Sequence, residues 1–133
     1  MKKFDAPLTL RDMKITDIAA VKKLESAAFA DAWPQRVFET ELENGFAQYR
    51  VALELKSQNK RRIQNILGYS GVWFMVDQLH LVSIAVHPNC RRSGIGERLM
   101  FDVVDQVNGA LLPKIVLEVR KSNLSAQLLY AKF

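Results

Sequence analysis

Arg91, Gly94 and Gly96 stand at the spacing Arg-x-x-Gly-x-Gly inside HPNCRRSGIGERLM. Glycines let backbone N–H groups come close to a ligand, and where such a turn opens a helix, the helix dipole favours an anion. The chemistry that suits this arrangement is the holding of a pyrophosphate. A dinucleotide fingerprint would need a third glycine or an alanine at position 99, where Leu99 stands. A Walker loop would need Lys-Ser/Thr after the last glycine, where Glu97-Arg98 stands. Both are excluded. Two turn glycines can also serve structure alone, but this pair follows an apolar run ending at Val86 and Pro88 and opens an amphipathic segment.

Two other groups could move protons. Glu118 is a carboxylate in an otherwise apolar run, IVLEV, where it is either an acid–base group or a partner for a cation such as Arg120. Tyr130 carries a phenol on an apolar stripe, where a core ring with its hydroxyl at the edge is the plain alternative. The single cysteine, Cys90, can form no internal disulfide and has no His or Asn around it in an activation motif. Two histidines and one cysteine make no metal-ligand spacing, so no metal is expected.

A phosphate-binding turn needs a strand and a helix to hold it. Leu79 to Val86 reads as the strand, apolar enough for burial on both faces, with Pro88 ending it. Gly94 to Val107 reads as the helix, with Ile95, Leu99, Val103 and Val107 on one face and Asn108-Gly109 as its stop. Upstream, Leu8 to Met13 alternates as a strand does, and Thr16 can cap a helix carrying Ile18, Val21, Leu24 and Ala28. Pro34 fits the first turn of a second helix that carries Val37, Phe38 and Leu42 and ends at Gly45. Tyr49 to Leu55 and Ile63 to Phe74 read as a long hairpin around the basic run KSQNKRR. Ile115 to Val119 is a further strand, and Ser122 or Asn123 caps a last helix bearing Ala126, Leu129, Tyr130 and Phe133 on one stripe. The predicted order is β-α-α-β-β-β-α-β-α. With a parallel crossover at its end and antiparallel strands before it, this is a mixed α/β sandwich.

The chain has 133 residues, 49% of them hydrophobic, enough for one domain spanning residues 1–133 around a single sizeable core. No stretch approaches the roughly 18 to 20 apolar residues of a membrane span, and MKKFDAPLTL has no apolar h-region behind its lysines. A cytoplasmic protein without membrane contact is expected. The net charge of +5 favours an anionic partner. Its densest basic run, Lys56 to Arg62, reads as a solvated hairpin tip or else an RNA contact. It lacks the interleaved aromatics that single-strand binders stack on, so nucleic acid is not the expected partner.

The segment IAVHPNCRRSGIGERLM resembles the acetyl-CoA loop, Gln/Arg-x-x-Gly-x-Gly/Ala, of the GNAT superfamily of N-acetyltransferases. Within it the chain is similar to the RimI-type branch, the ribosomal-protein-alanine N-acetyltransferases. Three blocks carry the likeness, ESAAFADAWPQRVFETEL, GYSGVWFMVDQLHLVSIAVHP and LEVRKSNLSAQLLYAKF, and together they cover most of the chain. The last is the most specific, with Leu-Glu-Val-Arg-x-Ser-Asn followed by Leu-Tyr-x-Lys.

The resemblance implies a mixed, mostly antiparallel sheet flanked by helices, in which the strand holding Ile84, Ala85 and Val86 splays from the strand holding Glu118. Acetyl-CoA would lie in that gap. The backbone of Ile84 and Val86 would bond its pantetheine arm, amides from Arg91 through Arg92, Ser93, Gly94, Ile95 and Gly96 to Glu97 would hold the pyrophosphate, and Asn123 would touch the arm. Glu118 and Tyr130 match the branch's base and acid, a backbone N–H near Val86 would stabilise the oxyanion, and Trp33 and Phe38 occupy the block that walls the acceptor. The implied acceptor is a protein N-terminal amine, the N-terminal alanine of a ribosomal protein. Core packing is the alternative for both Trp33 and Phe38, and Trp33 follows Ala32 where the family often has proline.

The family continues past Tyr-x-Lys into two strands that complete the sheet, whereas this sequence stops at Phe133. That predicts a fragment or a reduced domain without the family's C-terminal strands, with an exposed sheet edge open to self-association. A small-amine acetyltransferase and a non-catalytic acyl-CoA-binding module are the rival readings.

Overall fold

The computed structural model describes residues 8–91, 93–118 and 131, and for residues 56–58 the backbone alone. Arg92, Val119, Arg120, Ser122, Asn123, Tyr130 and Phe133 lie outside the described residues, as does the predicted last helix. In chain order the elements are β1 (Leu8–Asp12), α1 (Ile18–Ala28), α2 (Gln35–Glu43), β2 (Ala47–Gln58), β3 (Arg61–Phe74), β4 (Leu79–Val86), α3 (Ile95–Gly109) and β5 (Ile115–Leu117). They form one sheet in the order β1-β2-β3-β4-β5, antiparallel throughout except for the parallel β4–β5 pair. This is the mixed, mostly antiparallel sheet with flanking helices that the sequence predicts, and β5 is its edge among the described residues.

Two cores form because the sheet is apolar on both faces. On one face Ile95, Leu99, Met100, Val103 and Val107 of α3 pack on Leu67, Val72, Leu79, Leu81 and Ile84. On the other, Ile18, Val21 and Leu24 of α1 and Phe38 of α2 pack on Tyr49, Val51, Leu53, Tyr69 and Ala85. The strict 3.6-residue stripe on α3 is what lets one side of it fill the first core.

Local chemistry moves several boundaries. Thr16 caps nothing; it lies in a one-turn 3-10 helix, Ile15–Asp17, and Asp17 takes the binding role, its carboxylate accepting the Lys14 N–H at 2.8 Å and a fork from Arg11 at 2.6 and 3.0 Å. Pro34 stands before α2, extended at φ −67° and ψ 157°, instead of inside its first turn. The hairpin strands are longer than predicted, because only Asn59 and Lys60 are needed to turn the chain, both at positive φ, the two-residue geometry that matches strand twist. The basic run therefore lies partly in strand, and Lys60, Arg61 and Arg62 are exposed.

The hydrogen bond from Arg11 holds the Asp17 carboxyl below its ordinary value. A carboxylate depressed in the folded state stabilises above its unfolded pKa, about 3.9, and loses that contribution as pH falls through the folded value. The stability difference between wild type and Asp17→Asn should therefore be constant from neutral pH to about 5 and shrink below about 4. Denaturant titrations across that range check it, and a pH-independent difference would sink it. Gly71 faces a tighter limit, since a Cβ there would overlap the Tyr49 ring, which is buried and hydrogen-bonded through its hydroxyl. Gly71→Ala should cost about 1–3 kcal/mol in equilibrium unfolding. Unchanged stability would mean that the ring can step aside.

Candidate active site

The turn singled out by its glycines sits between β4 and α3. His87 N–H donates to the Leu67 carbonyl at 2.7 Å and Cys90 N–H to the His87 carbonyl at 2.8 Å, so a one-turn 3-10 helix, Pro88–Cys90, folds the chain back. Ser93 follows, its hydroxyl donating to the Cys90 carbonyl. Gly94 then adopts φ 88°, a left-handed conformation that a Cβ disfavours, and starts α3. A Cβ on Gly94 would meet no atom within 4 Å. Packing therefore does not require glycine here; the backbone conformation does, and the space in front stays open. The first helical bond in α3 runs from Arg98 N–H to the Gly94 carbonyl at 3.1 Å, and a helix leaves the amides ahead of that without an acceptor one turn back.

Of the predicted binding residues, Arg91 is exposed, Gly96 and Glu97 are half-buried, and Ile95 is 1% exposed, so its side chain belongs to the core and only its backbone faces the turn. Cys90 is buried beneath the turn. Ile84 and Val86 put their side chains into the α3 core and Ala85 into the other. Their backbones lie beyond the point where the parallel ladder ends: β4 pairs β5 through Leu79–Ile115, His80–Val116 and Leu81–Leu117, followed by Glu118 N–H to the Leu81 carbonyl at 3.1 Å. No described residue of β5 pairs with β4 past Leu81.

At that point β4 carries one residue more than β3. Gly71 opposes Ser83 and Val72 opposes Leu81, which leaves Val82 as a bulge. Val82 borders an open cleft of about 440 Å³ on the α2 side, walled also by Trp33, Arg36, Glu41 and Trp73. Phe38 does not reach it; wholly buried, its ring centroid is 5.5 Å from that of Trp33 and 5.6 Å from that of Tyr69.

Two carboxyl groups that the sequence reading passed over build this wall. Glu25 of α1, 0% exposed, accepts the Trp33 N–H at 2.8 Å and the Tyr69 hydroxyl at 2.7 Å, and that hydroxyl also meets Ser83 Oγ at 2.7 Å. Glu41 of α2 accepts the Tyr49 hydroxyl at 2.6 Å and Trp73 Nε1 at 2.9 Å through one oxygen. Burial and the bond to Glu41 push the Tyr49 phenol well above its ordinary range, so it stays a donor. The signal was available: both glutamates fall on the apolar stripes of their helices, beside Leu24 and Leu42.

Glu118 projects at the sheet edge with its side chain 59% exposed, and its Oε1 lies 2.9 Å from His80 Nε2. His80 is a third site residue, after Glu25 and Glu41, that the sequence does not single out, being one polar residue in an apolar strand. Among the described residues no group of histidine, cysteine or carboxylates could hold a metal ion.

A family model described as the acetyltransferase (GNAT) family matches residues 18–133. A Bacillus subtilis protein named as a candidate ribosomal protein bS18-alanine N-acetyltransferase is 33% identical over 125 residues, covering 93% of this chain and 78% of that one. The crystal structure of the ribosomal-protein-S18-alanine N-acetyltransferase from Escherichia coli superposes with a TM-score of 0.77 at 25% identity, covering 95% of this chain and 76% of that one. An aminoglycoside N-acetyltransferase crystallised with CoA shares the fold, with a TM-score of 0.73 at 13% identity over 97% of this chain and 88% of that one. The glycine-bearing turn ahead of α3, the family match and the relatives agree: the chain belongs to the acetyltransferase (GNAT) family, as an N-acetyltransferase similar to the ribosomal-protein-alanine branch.

Proposed function

We propose that the chain is a single N-acetyltransferase domain that moves an acetyl group from acetyl-CoA to a protein N-terminal amine, with the N-terminal alanine of a ribosomal protein as acceptor. The observation that carries the cofactor half is Gly94: a left-handed turn with open space in front of it, directly before the first turn of α3. Amides from Arg91 to Glu97 take the pyrophosphate there, and the β4 backbone at Ile84 and Val86 takes the pantetheine arm past the end of the ladder. The relatives' names support the acceptor half, together with a cleft of aromatic and polar walls at Val82, on the α2 side of β4.

The reaction is acyl transfer from a thioester to an amine. The acceptor ammonium must lose a proton before its nitrogen attacks the carbonyl, and Glu118, on the strand beside the bulge, is the group assigned to take it. A backbone N–H near Val86 faces the carbonyl oxygen as it gains charge. The C–S bond then breaks, and the departing thiolate takes a proton from Tyr130, the acid that the family resemblance assigns. Trp33, fixed by Glu25, and Trp73, fixed by Glu41, orient the acceptor chain in the cleft. The protein acts in the cytoplasm, where its acceptor is made.

Three measurements test this. Acetyl-CoA should raise the melting temperature, because a ligand that binds the folded state alone stabilises it by mass action. Gly94→Val should abolish the rise, while Gly94→Asn, which tolerates a left-handed backbone, should keep the fold and separate strain from lost binding. No rise in wild type at saturating ligand would remove the cofactor assignment. Glu118→Gln should lower peptide turnover by about 10²-fold or more with acetyl-CoA binding kept. Finally, a peptide beginning with alanine should be acetylated in preference to polyamines and aminoglycosides; the reverse order would make the chain a small-amine enzyme.

A further inference from the structure

We infer that His80 is a positioning residue for Glu118, holding the proton-accepting carboxylate against the sheet so that it faces the cleft; this rests on the assignment of Glu118 as the base. The two residues come together because of register. β4 and β5 run parallel with His80 opposite Val116, and Glu118, which follows β5 with its N–H donating to the Leu81 carbonyl at 3.1 Å, continues the alternation to the face of Val116 and His80. Leu79 and Leu81 are turned to the α3 core, which leaves His80 on the face that carries the cleft.

The pair is asymmetric in a way that fits support and not mutual stabilisation. Glu118 is 59% exposed at its side chain and His80 only 18%. A glutamate that exposed would otherwise spread over several rotamers and lose that freedom when held in one. His80 does not have that freedom. Its ring sits edge-on to Trp73, with centroids 6.0 Å apart at 80°, and Trp73 is itself anchored through Nε1 to Glu41. The support therefore runs from a carboxyl on α2, through an indole and an imidazole, to the carboxylate at the sheet edge.

His80 Nε2 is shut off from solvent, and Glu118 Oε1 approaches it to 2.9 Å away from the direction of an aligned hydrogen bond. A buried ring nitrogen with no other partner among the described residues has one oxygen in reach. Bonds among catalytic groups are often poorly aligned before substrate is bound and tighten in the complex. Here the exposed carboxylate is the partner with freedom to move, while the imidazole is held. An exposed surface ion pair would contribute little on its own, so the pairing has its consequence in where the carboxylate is kept.

The test is a double-mutant cycle on peptide acetylation with acetyl-CoA binding measured in parallel. His80→Ala should lower kcat by roughly 10-fold to 100-fold, the order expected when a reacting group is displaced by about 1 Å, with the KM for acetyl-CoA unchanged. His80→Gln, which keeps an N–H donor on a side chain of similar reach, should recover most of that rate. In the Glu118→Gln background, His80→Ala should cost nothing further, since a residue that acts only through Glu118 has nothing left to position. Wild-type kcat in His80→Ala, or an equal loss in both backgrounds, would overturn the inference. Glu118→Gln with an undiminished rate would instead overturn the base assignment beneath it, so the two failures are read from different variants.

Discussion

One surplus residue in β4 sets the direction of everything around it. Without the bulge at Val82, a strand with side chains of Leu79 and Leu81 in the α3 core would place Ser83 and Ala85 there next, and Ile84 and Val86 on the opposite face. With it, Ile84 and Val86 rejoin Leu79 and Leu81 on the α3 face, while Ala85 joins the core under α1 and α2. Alternation with a period of two makes this unavoidable: a slip of one residue exchanges faces for all that follows. The bulge also increases local twist, and the parallel ladder to β5 has its last described rung at Leu81, the residue before it. A single inserted residue thus keeps the first core continuous and opens the sheet where a ligand arm could enter.

On the other face, apolar packing shares the work with two buried carboxyl groups. Burying such a group is costly unless its oxygens are hydrogen-bonded, and Glu25 and Glu41 are met by an indole N–H, two phenols and a backbone amide. The tyrosines that answer them, Tyr49 and Tyr69, stack with centroids 6.4 Å apart, so the two networks are joined by ring contact. Each network ends on a tryptophan that walls the cleft. Loop position and side-chain orientation at the cleft are therefore tied to the core, which is how a site gains the rigidity that orientation of two reactants demands.

The two halves of the proposed site rest on different principles. The proposed anion-binding half is backbone: a left-handed glycine and the start of a helix, for which side chains matter mainly by staying away. The proposed acceptor half is side chains at the cleft, from Trp33, α2, β3 and β4, held by buried polar contacts. Changes at Gly94 should consequently act through conformation, and changes at Trp33 or Trp73 through placement. β4 is the strand that the two proposed halves share.

The residues between Val86 and Leu99 determined by themselves the glycine turn that opens α3, because glycine spacing and helix periodicity are local properties that neighbours far along the chain do not alter. The same holds for the apolar stripes of α1 and α3 and for the hairpin, whose extent was underread only because Asn59 and Lys60 suffice to turn it. What lay beyond the sequence was register. Nothing in DQLHLVSIAV announces that Val82 is extra, since the bulge exists only relative to the number of residues β3 brings opposite. Nor does anything near Glu118 announce His80, 38 positions away, because their meeting depends on where β5 docks beside β4. Glu25 and Glu41 stand on apolar stripes, but which groups satisfy them, Tyr69 and the Trp33 amide for one and Tyr49 and Trp73 for the other, follows from how the strands and the loop before α2 come together. Local conformation follows from local chemistry, whereas which polar groups face one another is decided by how the strands align.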